Sequence, residues 1–276
     1  MSETEIGAIV KDMKQSGFPL EVVAGTRITS KGWITRHQVY YNDTVDNKSR
    51  YVDIVSHKVI DRTSGRYRRL NYTVVAECKK SEKPWVFYTP PNPFLSKESD
   101  LATIAYLREV SKPELTDFAP SLFNCVLHNH YVTAAPLDRV GVAGYVGFTG
   151  GRESQGYDQI FIATNQVLNA VQYLMEQTTL NLKLMSVGPN ILVVYYPAII
   201  FDGKMYEYIL DEKEDPKLIE TEYVKYEVAF QAQEKGSSSA FLIDVITKDF
   251  LARYLDILEE EMQLMNECIG RQVSDK

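Results

Sequence analysis

The sequence predicts an α/β fold with a mixed central sheet flanked by helices, and three observations predict it. β-forming runs fall into two groups, 33–79 and 191–246. A long stretch of helical periodicity beginning at Gln159 separates the groups, and shorter helical stretches stand at the two ends. The chain has 276 residues of which 45% are hydrophobic, enough to bury one large core or two small ones.

At the N-terminus, Ser2 with Glu5 forms a capping box, and Ile6, Ile9, Val10 and Met13 follow at helical spacing until Gly17. Pro19 suits the first turn of a second helix, whose apolar stripe is Leu20, Val23, Ala24 and Ile28 and whose end lies near Gly32. Trp33 to Tyr41, Arg50 to Ile60 and Leu70 to Lys79 read as an antiparallel meander. In its second strand Val52 and Ile54 take one side, with Asp53, Val55 and His57 on the other. In the third, Val74 and Ala76 oppose Val75, Glu77 and Lys79.

Between Lys83 and Tyr157 prolines and a glycine-dense piece break the pattern, leaving one short helix from Asp100 to Val110. Its apolar patches are too short for a separate core, so 84–154 reads as an insertion. Ile160, Ala163, Val167, Ala170, Val171 and Leu174 mark the long helix that follows. Ile191 to Ile200 and Lys204 to Tyr208 read as strands joined by a turn at Asp202-Gly203. Val224 to Gln231 and Ala240 to Ile246 are two further strands. Asp249 opens a last helix, with Leu251, Tyr254, Leu255, Leu258, Met262, Met265 and Ile269 on one face. This gives one domain over 1–276, with core halves at about 17–83 and 155–260.

The net charge is −7 and the pI about 5.3, which weigh against nucleic-acid binding, but the charge is uneven. The stretch from Gly25 to Lys83 is rich in Lys and Arg, with Arg66, Arg68 and Arg69 on the turn between the second and third strands. Such a basic face either binds phosphate or is simply solvated. Acids concentrate late, in Asp211-Glu212-Lys213-Glu214-Asp215 and Glu259-Glu260-Glu261. No apolar run reaches the about 20 residues a membrane span needs. Glu3 and Glu5 stand where a secretory signal needs positive charge. Cys78, Cys125 and Cys268 are few and odd in number, as for reduced thiols. A cytoplasmic protein with no membrane partner is expected.

The chemistry-bearing signal lies on the second and third strands. Asp53 interrupts Tyr51-Val52-Asp53-Ile54-Val55, and Glu77 and Lys79 share a face of Thr73-Val74-Val75-Ala76-Glu77-Cys78-Lys79 while Cys78 points away. Aspartate is disfavoured within strands, and a buried carboxylate needs compensation. The compensation is either a structural ion pair with Lys79 or a hard divalent cation such as Mg²⁺ (or Mn²⁺), which takes oxygen ligands and keeps several waters.

An acid on the second strand and Glu-x-Lys on the third, after a helix, resemble the PD-(D/E)xK superfamily of restriction-endonuclease-like nucleases. Asp53 matches the first acid of that pattern, Glu77 and Lys79 match its (D/E)xK, and Glu21 matches a helical glutamate common to many members. The resemblance implies a restriction-endonuclease-like core and metal-dependent phosphodiester hydrolysis, with DNA as the expected substrate. It implies metal binding by Asp53, Glu77 and the backbone carbonyl of Cys78, with Lys79 assisting the water or the transition state. Glu21 would bind or orient a second ion, and Gln166 on the long helix would reach the phosphate. Val52 stands where the family usually has proline. The alternative is a non-catalytic nucleic-acid-binding or scaffold module on the same fold.

Other signals carry less. His128-Asn129-His130 with Cys125 lacks the Cys-x-x-Cys partner of a zinc site. Gly141, Gly144, Gly147 and Gly150 lack the Lys-Ser/Thr of a phosphate loop. The C-terminal apolar stripe is core, or else the helix of a homodimer; a partner subunit is a separate expectation, tied to no particular element.

Overall fold

The computed structural model describes residues 2–15, 18–43, 48–63, 68–90, 106–109, 141, 143–146, 157–184, 191–210, 216–231 and 238–274. Along them run α1 (Glu3–Gln15), α2 (Phe18–Ser30), β1 (Ile34–Asn42), β2 (Ser49–Asp61), β3 (Arg69–Lys80), β4 (Trp85–Tyr88), β5 (Tyr106–Glu109) and β6 (Ala143–Val146). After these come α3 (Tyr157–Leu184), β7 (Ile191–Asp202), β8 (Met205–Leu210), β9 (Pro216–Glu220), β10 (Tyr223–Gln231), β11 (Ser238–Thr247) and α4 (Leu251–Ser274). The capping box forms as expected: Ser2 N–H donates to Glu5 Oε2 at 2.7 Å and Glu5 N–H to Ser2 Oγ at 3.3 Å. Among the described residues no helix is long and apolar enough to cross a membrane.

The central sheet has the order β1-β2-β3-β7-β11-β10, with β5 also paired to β7. β1, β2 and β3 form the antiparallel meander. β3–β7 and β7–β11 are parallel, while β10–β11 and β5–β7 are antiparallel, so the sheet is mixed. α2 and α4 cover one face through Leu20, Ala24, Ile28, Tyr254, Leu258 and Met262, packed on Ile54, Val74, Ala76 and Val194. α3 covers the other through Ile160, Ala163, Val167 and Val171, packed on Val55, Val75, Val193 and Ile199.

β7 is buried along nearly its whole length, as a strand covered on both faces must be. It contains Pro197, which has no N–H for a ladder. One edge of β7 pairs with β5 as far as Tyr195 and with β11 from Ala198 onward. The proline falls in the interval where that edge changes neighbour.

Several expectations are corrected. Tyr106–Glu109, placed in a helix from Asp100 to Val110, forms a strand because it completes the edge of buried β7. β7 and β8 are not a hairpin. The chain leaves one sheet at Asp202-Gly203 and enters a second, ordered β6-β4-β8-β9, in which β8 runs parallel to β4. The expected insertion thus supplies β5 to the central sheet and β4 and β6 to the second, whose Trp85 stacks on Phe201 of β7 at 4.1 Å between centroids. β9, with Leu218 and Ile219 exposed, lacks the alternation that announces a strand. Val23 is exposed while Leu20, Ala24 and Ile28 are buried, so the stripe of α2 is narrower than read.

Candidate active site

Strict alternation fails in β2 at the aspartate. Val55 packs toward α3 and Ile54 toward α2, but Val52 packs toward α3 as well, against the side expected for it. The partner strand makes the same turn. Val39 and Tyr41 of β1 lie toward α3, and between Val39 and His37 stands Gln38 with φ of 49°. That left-handed conformation is uncommon for a residue with a Cβ and carries strain of roughly 1–3 kcal/mol. The pairs His37–Ile54 and Val39–Val52 bracket Gln38 and Asp53, so the β1–β2 ribbon flips its faces at these two residues.

The flip coincides with the end of the β2–β3 ladder, whose last pair is Ile54–Ala76. One step further, Asp53 Oδ2 accepts the backbone N–H of Cys78 at 2.7 Å, so a side chain replaces the ladder bond where the strands part. Burial raises the Asp53 pKa, and the Cys78 N–H and the Lys79 ammonium oppose that rise.

Glu77 stands across the parting from Asp53 and is only 2% exposed. Its Oε1 accepts Lys79 Nζ at 2.7 Å, while its Oε2 is buried with no hydrogen-bond partner. Burial pushes its pKa up to about 7; Lys79 and the Asp53 backbone N–H work against that, and the Asp53 charge works with it. Lys79 Nζ also donates to Gln166 Oε1 of α3 at 3.2 Å. Glu77, Lys79 and Gln166 therefore meet on the α3 side, as the period of two in β3 requires.

Glu21 reaches the same place from α2. Its position in the first helical turn would suit the helix dipole alone. Yet the side chain is only 8% exposed, takes a hydrogen bond from Gln38, and feels both Asp53 and Lys79. Burial first and Asp53 second raise its pKa; Gln38 and Lys79 oppose them. Gln38 carries no signal in the sequence, because a lone polar residue on a half-exposed edge strand is ordinary. Only its backbone angle marks it.

Among the described residues no group of three or more His, Cys, Asp or Glu side chains stands close enough to hold a metal. The oxygen groups that come together are the Asp53 and Glu77 carboxylates. Glu77 Oε2, buried and without a partner, is the kind of atom a hard cation satisfies, so the residues fit Mg²⁺ or Mn²⁺ with waters completing its shell. The Cys78 thiol is not a candidate nucleophile or ligand. It packs into the core on the α2 side, and burial, with the three carboxylates, raises its pKa well above the ordinary value.

The basic turn is not part of this cluster. Arg66 lies outside the described residues. Arg68 donates to the Thr63 carbonyl and Arg69 pairs with Asp61 at 2.6 Å, eight residue steps from Asp53 and so roughly 26 Å away along the strands. His128, Asn129, His130, Cys125, Gly147, Gly150 and the 211–215 run also lie outside the described residues. Gly144 lies in β6 of the second sheet opposite Phe87, and Gly141 bridges to β10 of the central sheet, donating its N–H to the Lys225 carbonyl at 2.8 Å. No family model matches the chain, and neither a curated protein nor a solved structure does.

Proposed function

We propose that this chain is a metal-dependent nuclease of the PD-(D/E)xK kind, acting on phosphodiesters of nucleic acid, with DNA the expected substrate. One observation carries the reading: Asp53, Glu77, Lys79, Glu21 and Gln166, from four separate elements, share one electrostatic cluster where β2 and β3 part. The order of a helix, an antiparallel meander and a long helix after the third strand supports a restriction-endonuclease-like core. A chain that only needed a stable core would lose little by filling this place with apolar side chains, since buried ion pairs rarely stabilise better than packing.

Asp53 and Glu77, with the Cys78 carbonyl, would hold Mg²⁺ or Mn²⁺, which when bound neutralises phosphate oxygens and acidifies a water. Lys79 Nζ lies 2.7 Å from Glu77 Oε1, where it can donate to the attacking water or to charge gathering on the phosphate oxygens. Gln166 fixes that ammonium from the helix side. Cys78 N–H keeps Asp53 turned across the strand gap.

The rival reading, a non-catalytic module or scaffold, is favoured by the Lys79–Glu77 contact, which partly neutralises the carboxylate without any metal. Cleavage of DNA with Mg²⁺ or Mn²⁺ separates the two. Lys79→Ala is expected to lower the rate by about a hundredfold or more, the scale of removing one electrostatic stabiliser, while DNA affinity is kept. Binding with no cleavage under any divalent metal would select the non-catalytic module.

A further inference from the structure

Beyond the face flip, β1 and β2 present Tyr40 and Tyr51 to solvent. The two are cross-strand partners, 71% and 42% exposed, with ring centroids 6.3 Å apart in an edge arrangement. Had the ribbon kept strict alternation through Gln38 and Asp53, both rings would face α3 in line with Val55. The flip turns them outward and leaves Val39, Tyr41 and Val52 to pack inward. A solvent-facing tyrosine pair contributes little burial, and cross-strand pairing adds only about 0.2–1 kcal/mol. Its place in the ribbon is more informative. The pair lies two residues from Gln38 and Asp53 on the same two strands, about 7 Å along the ribbon, on the face turned away from α3, the side from which Glu21 of α2 reaches Gln38 and Asp53. Lys48 follows at the same end of the ribbon, where Arg50 pairs with Asp43 at 2.8 Å.

We propose that Tyr40 and Tyr51 form a base-stacking platform for single-stranded nucleic acid, seating a base beside the phosphate bound at Asp53 and Glu77. This rests on the nuclease reading and narrows its substrate to strands whose bases are free of a duplex. Base pairs of a duplex hide their faces, so rings projecting from a strand edge have nothing to stack on until a base is unpaired. Stacking is tolerant of sequence, so the platform selects strandedness rather than a target sequence.

The experiment is fluorescence anisotropy with a short labelled oligothymidine and with a labelled duplex, in Ca²⁺. It compares the wild-type chain, the double variant Tyr40→Ala/Tyr51→Ala and the double variant Tyr40→Phe/Tyr51→Phe. The alanine variant is expected to bind the single strand about ten- to a hundredfold more weakly, with duplex binding unchanged and the phenylalanine variant like wild type. Equal single-strand binding by wild type and the alanine variant overturns the platform. So does an equal loss on the duplex, or no affinity of wild type for the oligothymidine. Cleavage with Mn²⁺ is measured separately. If wild type cleaves and the alanine variant has lost no preference for single strands, the platform fails and the nuclease reading stands. If stacking-dependent binding appears without cleavage by wild type, the nuclease reading fails and the platform stands.

Discussion

Ionised Glu77 occupies a place water does not reach, and this has a sign that can be measured. The folded protein keeps a proton on Glu77 that the unfolded chain has released, so stability falls as pH climbs from about 4.5 to about 7. Above that window the ionised side chain disfavours the metal-free fold by about 3 kcal/mol, since each tenfold change in proton affinity corresponds to roughly 1.4 kcal/mol. Glu77→Gln should therefore match wild type near pH 4.5 and exceed it by up to about 3 kcal/mol at pH 8, read by urea unfolding in chelator. A variant that is less stable at pH 8 would show that the Lys79 contact outweighs burial. Asp53→Asn keeps the shape and an acceptor for the Cys78 N–H but removes the charge, so the fold should survive while divalent binding, followed by calorimetry, is lost.

Elements explain what could and could not be read in the residues alone. Glu77 and Lys79 share a face because β3 is a regular strand, and period two is all that placement requires. Asp53 is legible as an oddity, a charge amid β-formers, but its direction is not, because two strands turn together at Gln38 and Asp53 and no local pattern encodes a paired turn. The packing side of Val52 escapes for the same reason. β4, β5 and β9 escape because short strands take their identity from the partner edges they complete, which lie far along the chain. Gln38 links this scale to the site. Gln38→Gly removes the left-handed strain and the hydrogen bond to Glu21 together. Relief of roughly 1–3 kcal/mol of strain is offset by loss of a hydrogen bond to a charged group, roughly 1.5–3 kcal/mol, so the melting temperature should stay within about 4 °C of wild type. Its cleavage rate should fall about tenfold, the scale of one hydrogen bond to a charged group. Unchanged cleavage with a raised melting point would reduce Gln38 to a bend in the ribbon.

Across the whole molecule, the site is shared by α2, β2, β3 and α3, so anything that bound Asp53 and Glu77 would tie both helical layers to the sheet. Millimolar Mg²⁺ or Mn²⁺ should raise the melting temperature of wild type by mass action and leave Asp53→Asn unmoved. No change in wild type would favour the structural ion pair. The parallel pairing of β3 with β7 carries a different consequence, in time. Val75 meets Pro197 far later in the chain, whereas β1, β2 and β3 meet through short turns. Closing so long a loop is slow compared with forming a local meander. Pulse-labelled hydrogen exchange during refolding should protect β2 and β3 amides first and β7 and β11 amides last. The carboxylates would then be assembled early, on a ribbon still open to water, and would lose their hydration only when β7 and α3 close over them.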